Sequence, residues 1–161
     1  MPSLTTLIFL IVAAVIVAAS WWQSRQRTSA FIELAAKFGL AFLGTTLPGF
    51  LNLAGTGPEA ISSCWNVVEG EINRVRFVIF DCRIGRGKGS WRRTIIAAKG
   101  NADIFKSVPM VLNLTSEPAG EWTVLYQPKT SQIIPPGLIA VPELDALLEL
   151  FISGEQTSSA S

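Results

Sequence analysis

The chain of 161 residues contains no histidine. That removes the usual general base near neutral pH and the commonest metal ligand. It has two cysteines, Cys64 and Cys82, too few and too far apart to build a zinc site. Charge is also scarce: charged residues are 16% of the chain, against a usual share of about 25%. The net charge of +1 selects no class of partner. Residues 2–24 carry no charged side chain at all. Nothing here supports a catalytic function, a metal or a cofactor.

What fills the uncharged stretch is apolar. Residues 7–19 are unbroken hydrophobic sequence, and residues 4–6 and 20–22 extend the segment to nineteen residues. A helix of about 20 residues covers the roughly 30 Å hydrocarbon core of a bilayer. Trp21 and Trp22 stand where an interfacial aromatic belt belongs, and Arg25 and Arg27 follow at once. The competing reading is a cleaved signal peptide. Val17, Ala18 and Ala19 offer small residues for cleavage, but no basic residue precedes the apolar run. An uncleaved anchor fits better. Its positive flank lies on the C-terminal side, which places the N-terminus outside and the following domain in the cytoplasm.

No Pro or Gly occurs between Ser3 and Phe38. The first helix therefore runs on, or restarts after a short break with Ser29 as its N-cap. Phe31, Leu34, Ala35 and Phe38 recur on one helical face, and Gly39 is a natural stop. Residues 40–62 are rich in Gly, Pro and Thr and read as a loop, with Leu47, Phe50, Leu51 and Leu53 packing it down. Residues 64–72 and 75–83 form a hairpin about Asn73 and Arg74. That register sets Glu71 against Arg76, Val67 against Phe80 and Gly70 against Phe77. It offsets Cys64 from Cys82 by one residue, so the two point to opposite faces as free thiols.

Residues 91–99, 108–115 and 121–127 read as further strands. Residues 116–120 supply a turn, and Ile133 and Ile134 a short edge. Pro142 opens a last helix, with Val141, Leu144, Leu147, Leu148 and Phe151 as its apolar stripe and Gly154 as its end. The expected fold class is α+β: a transmembrane helix, a juxtamembrane helix, an antiparallel sheet of about five strands, and a C-terminal helix. The expected divisions are an anchor with its basic flank over 1–26, a soluble domain over 27–154 and a disordered tail over 155–161.

One segment stands out chemically. Residues 83–93 hold Arg83, Arg86, Lys88, Arg92 and Arg93 with three glycines and Trp91. Its alternating glycines do not match a nucleotide phosphate loop. It is either a solvated hairpin loop or an anion contact, and acidic lipid headgroups beside the anchor are the best candidate for the second. A single aromatic disfavours single-stranded nucleic acid. Glu69 and Glu71 share a strand face, where Glu71 is expected to pair with Arg76 and Glu69 to stay solvated. Asp81, in an apolar strand, is expected to play a structural part, pairing with Asn66 across the hairpin or capping a turn.

Residues 66–70, residues 75–81, the Gly-rich basic loop and the strand from Thr94 together resemble a family of uncharacterised bacterial proteins. Those have one N-terminal membrane helix and a small cytoplasmic α+β domain. The resemblance covers roughly residues 27–150. The family often shows an aromatic after the aspartate, where this chain has Cys82. It implies architecture and no activity. The leading functional expectation is a membrane-tethered, non-enzymatic binding or scaffold module. The alternatives are a sensor of anionic lipid working through residues 83–93, or an envelope-facing domain if the topology is reversed.

Overall fold

The structure, a computed structural model, describes residues 3–100, 113–128 and 137–153. Helix α1 (Leu4–Phe38) is one unbroken rod of 35 residues, about 52 Å long. Ser3 caps it by accepting from the amide of Thr6. Gly39, at φ 67°, ends it, donating to the carbonyls of Ala35 and Ala36. The helix passes through Ser29 without a break, so the restart with Ser29 as N-cap is overturned. The apolar side chains of its first half lie exposed nearly all round. That half is long and apolar enough to cross a membrane.

The second half of α1 lies on a sheet of six strands. These are β1 (Ala41–Gly44), β2 (Ile61–Ile72), β3 (Val75–Ile84), β4 (Trp91–Lys99), β5 (Thr115–Ala119) and β6 (Trp122–Tyr126). Their order across the sheet is β1-β2-β3-β4-β6-β5, with every neighbouring pair antiparallel. A second helix, α2 (Val141–Ser153), packs beside α1. The fold is α+β, as the sequence implies. β1 lies inside the stretch expected to be loop, where four residues gain strand structure only by pairing with β2.

One face of the sheet is covered by the helices. Phe31, Leu34 and Ala35 of α1 and Leu144, Leu147, Leu148 and Phe151 of α2 pack on Phe77, Ile79, Ile96 and Leu125. The Phe151 ring meets Phe77 edge-on, with centroids 4.9 Å apart. Among the described residues, the other face has no helix. There Val78, Phe80, Ile95, Ala97 and Val124 are covered by Leu47, Leu51 and Leu53 from the chain between β1 and β2. Phe50 of this strap stacks on Trp122 at 5.5 Å. The strap is held to the sheet by the Gly57 amide, which donates to Glu117 at 2.7 Å.

Asn73 and Arg74 turn the β2–β3 hairpin with φ of 51° and 62°, the conformation of a type I′ turn. The expected register holds from Ile72 and Val75 to Val68 and Ile79. It then breaks. Asn66 takes φ 54°, and the ladder resumes one residue out of step at Trp65 and Asp81. The bulge sets Asn66 and Val67 together opposite Phe80, so the expected pairing of Val67 with Phe80 is not formed as a ladder step. It also brings Cys64 directly opposite Cys82. The two thiols therefore share one face, contrary to the expected offset. Both are free.

β4 has the bounds expected of it. The later strands differ. The expected turn over 116–120 is mostly strand β5, and the turn shrinks to Gly120 and Glu121. Pro118 fits there because β5 is an edge strand, where a missing N–H can face away from the ladder. Most of the strand expected over 108–115 lies outside the described residues. So do the short edge at Ile133 and Ile134, the stop at Gly154 and the tail over 155–161.

Candidate functional site

Three groups of polar side chains lie where α1 meets the sheet and beyond. The first centres on Asp81, which is fully buried. Arg27 of α1 reaches it as a fork: Nε donates to Oδ2 at 2.7 Å and Nη2 to Oδ1 at 2.8 Å. Thr94 Oγ1 donates to Oδ1 at 2.8 Å, and Asn66 Nδ2 donates to Oδ2 at 2.9 Å. An ionised carboxylate has about four acceptor positions. All of them are used, so Asp81 has none left for acid–base work on a ligand.

The network reaches further. Thr28 Oγ1 donates to Asn66 Oδ1 at 2.8 Å. Thr94 Oγ1 accepts from Arg27 Nη2 and from the amide of Ile139, each at 3.0 Å. One buried cluster therefore ties together α1, β2, β3, β4 and the segment entering α2. The expected pairing of Asp81 with Asn66 is present. The Arg27 contact departs from the sequence reading, in which Arg27 belongs to the membrane flank. A signal did exist: Arg27 lies four residues before Phe31, on the same inward face of α1.

The second group is the basic segment, which divides. Arg83 and Arg92 are exposed and directly paired across β3 and β4. Arg86 is exposed in the turn, next to the short 3₁₀ helix Gly87–Gly89 that contains Lys88. Arg93 is different. It is 5% exposed, opposite Cys82, with its guanidinium 5.0 Å from the Tyr126 ring and 5.6 Å from the Trp91 ring. Its burial lowers its pKa, and its Nε has no hydrogen-bond partner among the described residues. The structure thus withdraws Arg93 from the surface and leaves Trp91 half-buried beside it. At the end of the apolar half of α1, Trp21, Trp22 and Arg25 are exposed, and Arg25 lies 4.0 Å over the Trp21 ring.

The third group lies on the strap face. Glu117 accepts from the Tyr126 hydroxyl and the Gly57 amide. Arg76 pairs with Glu69, not with Glu71 as expected. The register does set Arg76 opposite Glu71, but the diagonal carboxylate is the one engaged. Burial pushes the Cys82 thiol up to about 12, and the adjacent Asp81 charge adds to this. Burial and the Glu117 contact push Tyr126 up to about 12 as well. The ordinary values are 9.0 and 10.0. Unfolding therefore lets both groups lose protons more easily. Their contribution to stability is whole below about pH 9 and drains away as pH climbs to about 12. Urea midpoints should fall steeply between pH 9 and pH 11. The double variant Cys82→Ala/Tyr126→Phe should show a flatter fall.

No family model, curated protein or solved structure matches this chain. Its reading rests on its own geometry.

Proposed function

We propose that the chain is a single-pass membrane protein whose domain is a non-enzymatic binding or scaffold module, fixed in attitude at the cytoplasmic surface. The observation that carries this reading is the buried Arg27–Asp81 bridge. It sits five residues past Trp22, at the point where α1 leaves the sheet. A flexible tether would need a break there. This helix has none, and a saturated polar network clamps it instead.

Further support comes from the first half of the helix. From Leu4 to Trp22 it rises about 28 Å, close to a hydrocarbon core. The tryptophans end that span, and the first basic residue follows on the domain side. The non-enzymatic part of the reading is supported by the state of the reactive groups. Asp81 has no free acceptor, Glu69 is engaged by Arg76, and the Cys82 thiol stays neutral at physiological pH.

The test is protease protection of a tag on the C-terminal tail, in intact cells and in inverted vesicles. A tag protected in cells and cut in inverted vesicles is expected. A tag cut from outside overturns the cytoplasmic assignment. Cys64 and Cys82, directly opposed, would then sit where a disulfide can form. Release of the chain from the membranes by alkaline washing overturns the membrane reading itself.

A further inference from the structure

The end of the sheet beside the departing helix carries charge that no described residue neutralises. Arg83 and Arg92 face each other directly across β3 and β4. Like charges in that position repel. Both side chains are exposed. Among the described residues, no carboxylate pairs with Arg83, Arg86 or Arg92. Arg92 instead lies 5.8 Å over the ring of Trp65. Glu59, just before β2, is committed to the strap, where it accepts from the Gly55 amide. A fold that sets two arginines side by side without a counter-charge pays in repulsion unless an anion lies outside.

The position of this patch says which anion. Thr28 contacts Asn66, and further along Leu40 lies over Gly70, where an added Cβ would come within 3.2 Å of the Leu40 Cα. α1 therefore runs in the same sense as β2. Traced backwards from Arg27, it heads for the end of the sheet where β2 begins and β3 ends. Five residues of helix back to Trp22 rise about 7.5 Å. Three residues of β3 from Asp81 to Ile84 span about 10 Å. The basic end of the sheet and the tryptophan pair thus lie at similar distances from the bridge, on the same side of it. Alternation along the strands puts Arg83 and Arg92 on the same face as Asp81 and Thr94, the face that carries α1.

We propose that Arg83, Arg86 and Arg92, with the Trp65 ring beneath Arg92, form a contact surface for anionic lipid headgroups in the leaflet that the helix enters. This rests on the membrane reading and adds its partner. It also redraws the contact that the sequence implies. The buried Arg93 drops out, and Trp65, from a strand distant in sequence, comes in. The rigid bridge makes the contact work: because α1 cannot swing on the sheet, insertion of the helix itself brings the patch down to the headgroups.

The experiment uses the full chain in nanodiscs of pure phosphatidylcholine and in discs containing phosphatidylserine, with thermal unfolding of the domain followed by near-UV circular dichroism. In the phosphatidylserine discs the midpoint should rise by about 5 °C at low salt. The rise should shrink in 0.5 M salt, where exposed charges are screened. In the variant Arg83→Gln/Arg92→Gln the rise should be at least halved, while the midpoint in neutral discs should stay level or increase as the repulsion goes. Equal midpoints for the native chain in both discs would overturn the lipid contact. A full rise retained in the variant would overturn this patch as its seat. A chain that does not enter discs of either kind would instead bring down the membrane reading on which the inference rests.

Discussion

Replacing Arg27 by alanine should destabilise the domain by about 3–5 kcal/mol, the cost of leaving a buried charge without its partner. Asp81 is fully buried, and the Arg27 side chain is 17% exposed. With the guanidinium gone, Asn66 and Thr94 still donate to Asp81, but no positive charge offsets the carboxylate. Arg27→Lys should recover only part of the loss, because an ammonium cannot supply the two-pronged contact to both oxygens. The informative control is Arg27→Met/Asp81→Leu. Burying two apolar side chains of suitable size in place of an ion pair is often neutral or better, so this variant should regain most of the stability. Urea unfolding of the full chain in nanodiscs gives all three values. If Arg27→Ala costs under about 1 kcal/mol, the bridge behaves like a surface pair and does not clamp the helix.

The second large effect is expected at Asn66. This residue is 3% exposed, holds φ at 54°, donates to Asp81 and accepts from Thr28. Asn66→Ala loses a hydrogen bond to a buried charge, about 1.5–3 kcal/mol. It also forces an alanine into the left-handed region at about 1–2 kcal/mol. Together these give roughly 2.5–5 kcal/mol. Asn66→Gly removes the same bonds but tolerates the backbone angle, so it should cost measurably less than alanine. If glycine and alanine cost the same, the bulge conformation is not what Asn66 supplies.

Asn66 also shows where local reading of this sequence stops. The hairpin turn at Asn73 and Arg74, the bounds of β4 and the apolar stripes of both helices follow from turn chemistry and periodicity, and the structure holds them. The bulge does not follow, because a side-chain network sets it, drawing Thr28, Asp81 and Arg27 from separate elements. Counting outward from the turn therefore gives a correct register as far as Val68 and a wrong one at Cys64. β1 is hidden for a similar reason: its four residues have weak strand preference and are fixed by their pairing with β2.

The candidate site was partly legible. Arg83, Arg86 and Arg92 are exposed, as a basic loop should be. Arg93 is not, and alternation could not have separated it from Arg92. Both faces of β4 are buried from Arg93 to Ala98, so period-two patterning carries no sign of which arginine turns in. Arg27 could have been found. An aspartate in an apolar strand needs a cation, and Arg27 is the only basic residue on the inward stripe of α1 that runs through Phe31, Leu34 and Ala35.

The long apolar helix α1 and the domain are expected to move as one body through the Arg27–Asp81 bridge. The direct measurement is a spin-label distance between Val15 on the exposed half of α1 and the exposed Lys99 at the end of β4. Each is replaced by cysteine in a Cys64→Ser/Cys82→Ala background, with the full chain in nanodiscs. One narrow distance distribution is expected, broadening when Arg27→Ala is added. A broad distribution with Arg27 and Asp81 intact would contradict the account, since the helix would then swing freely on the domain.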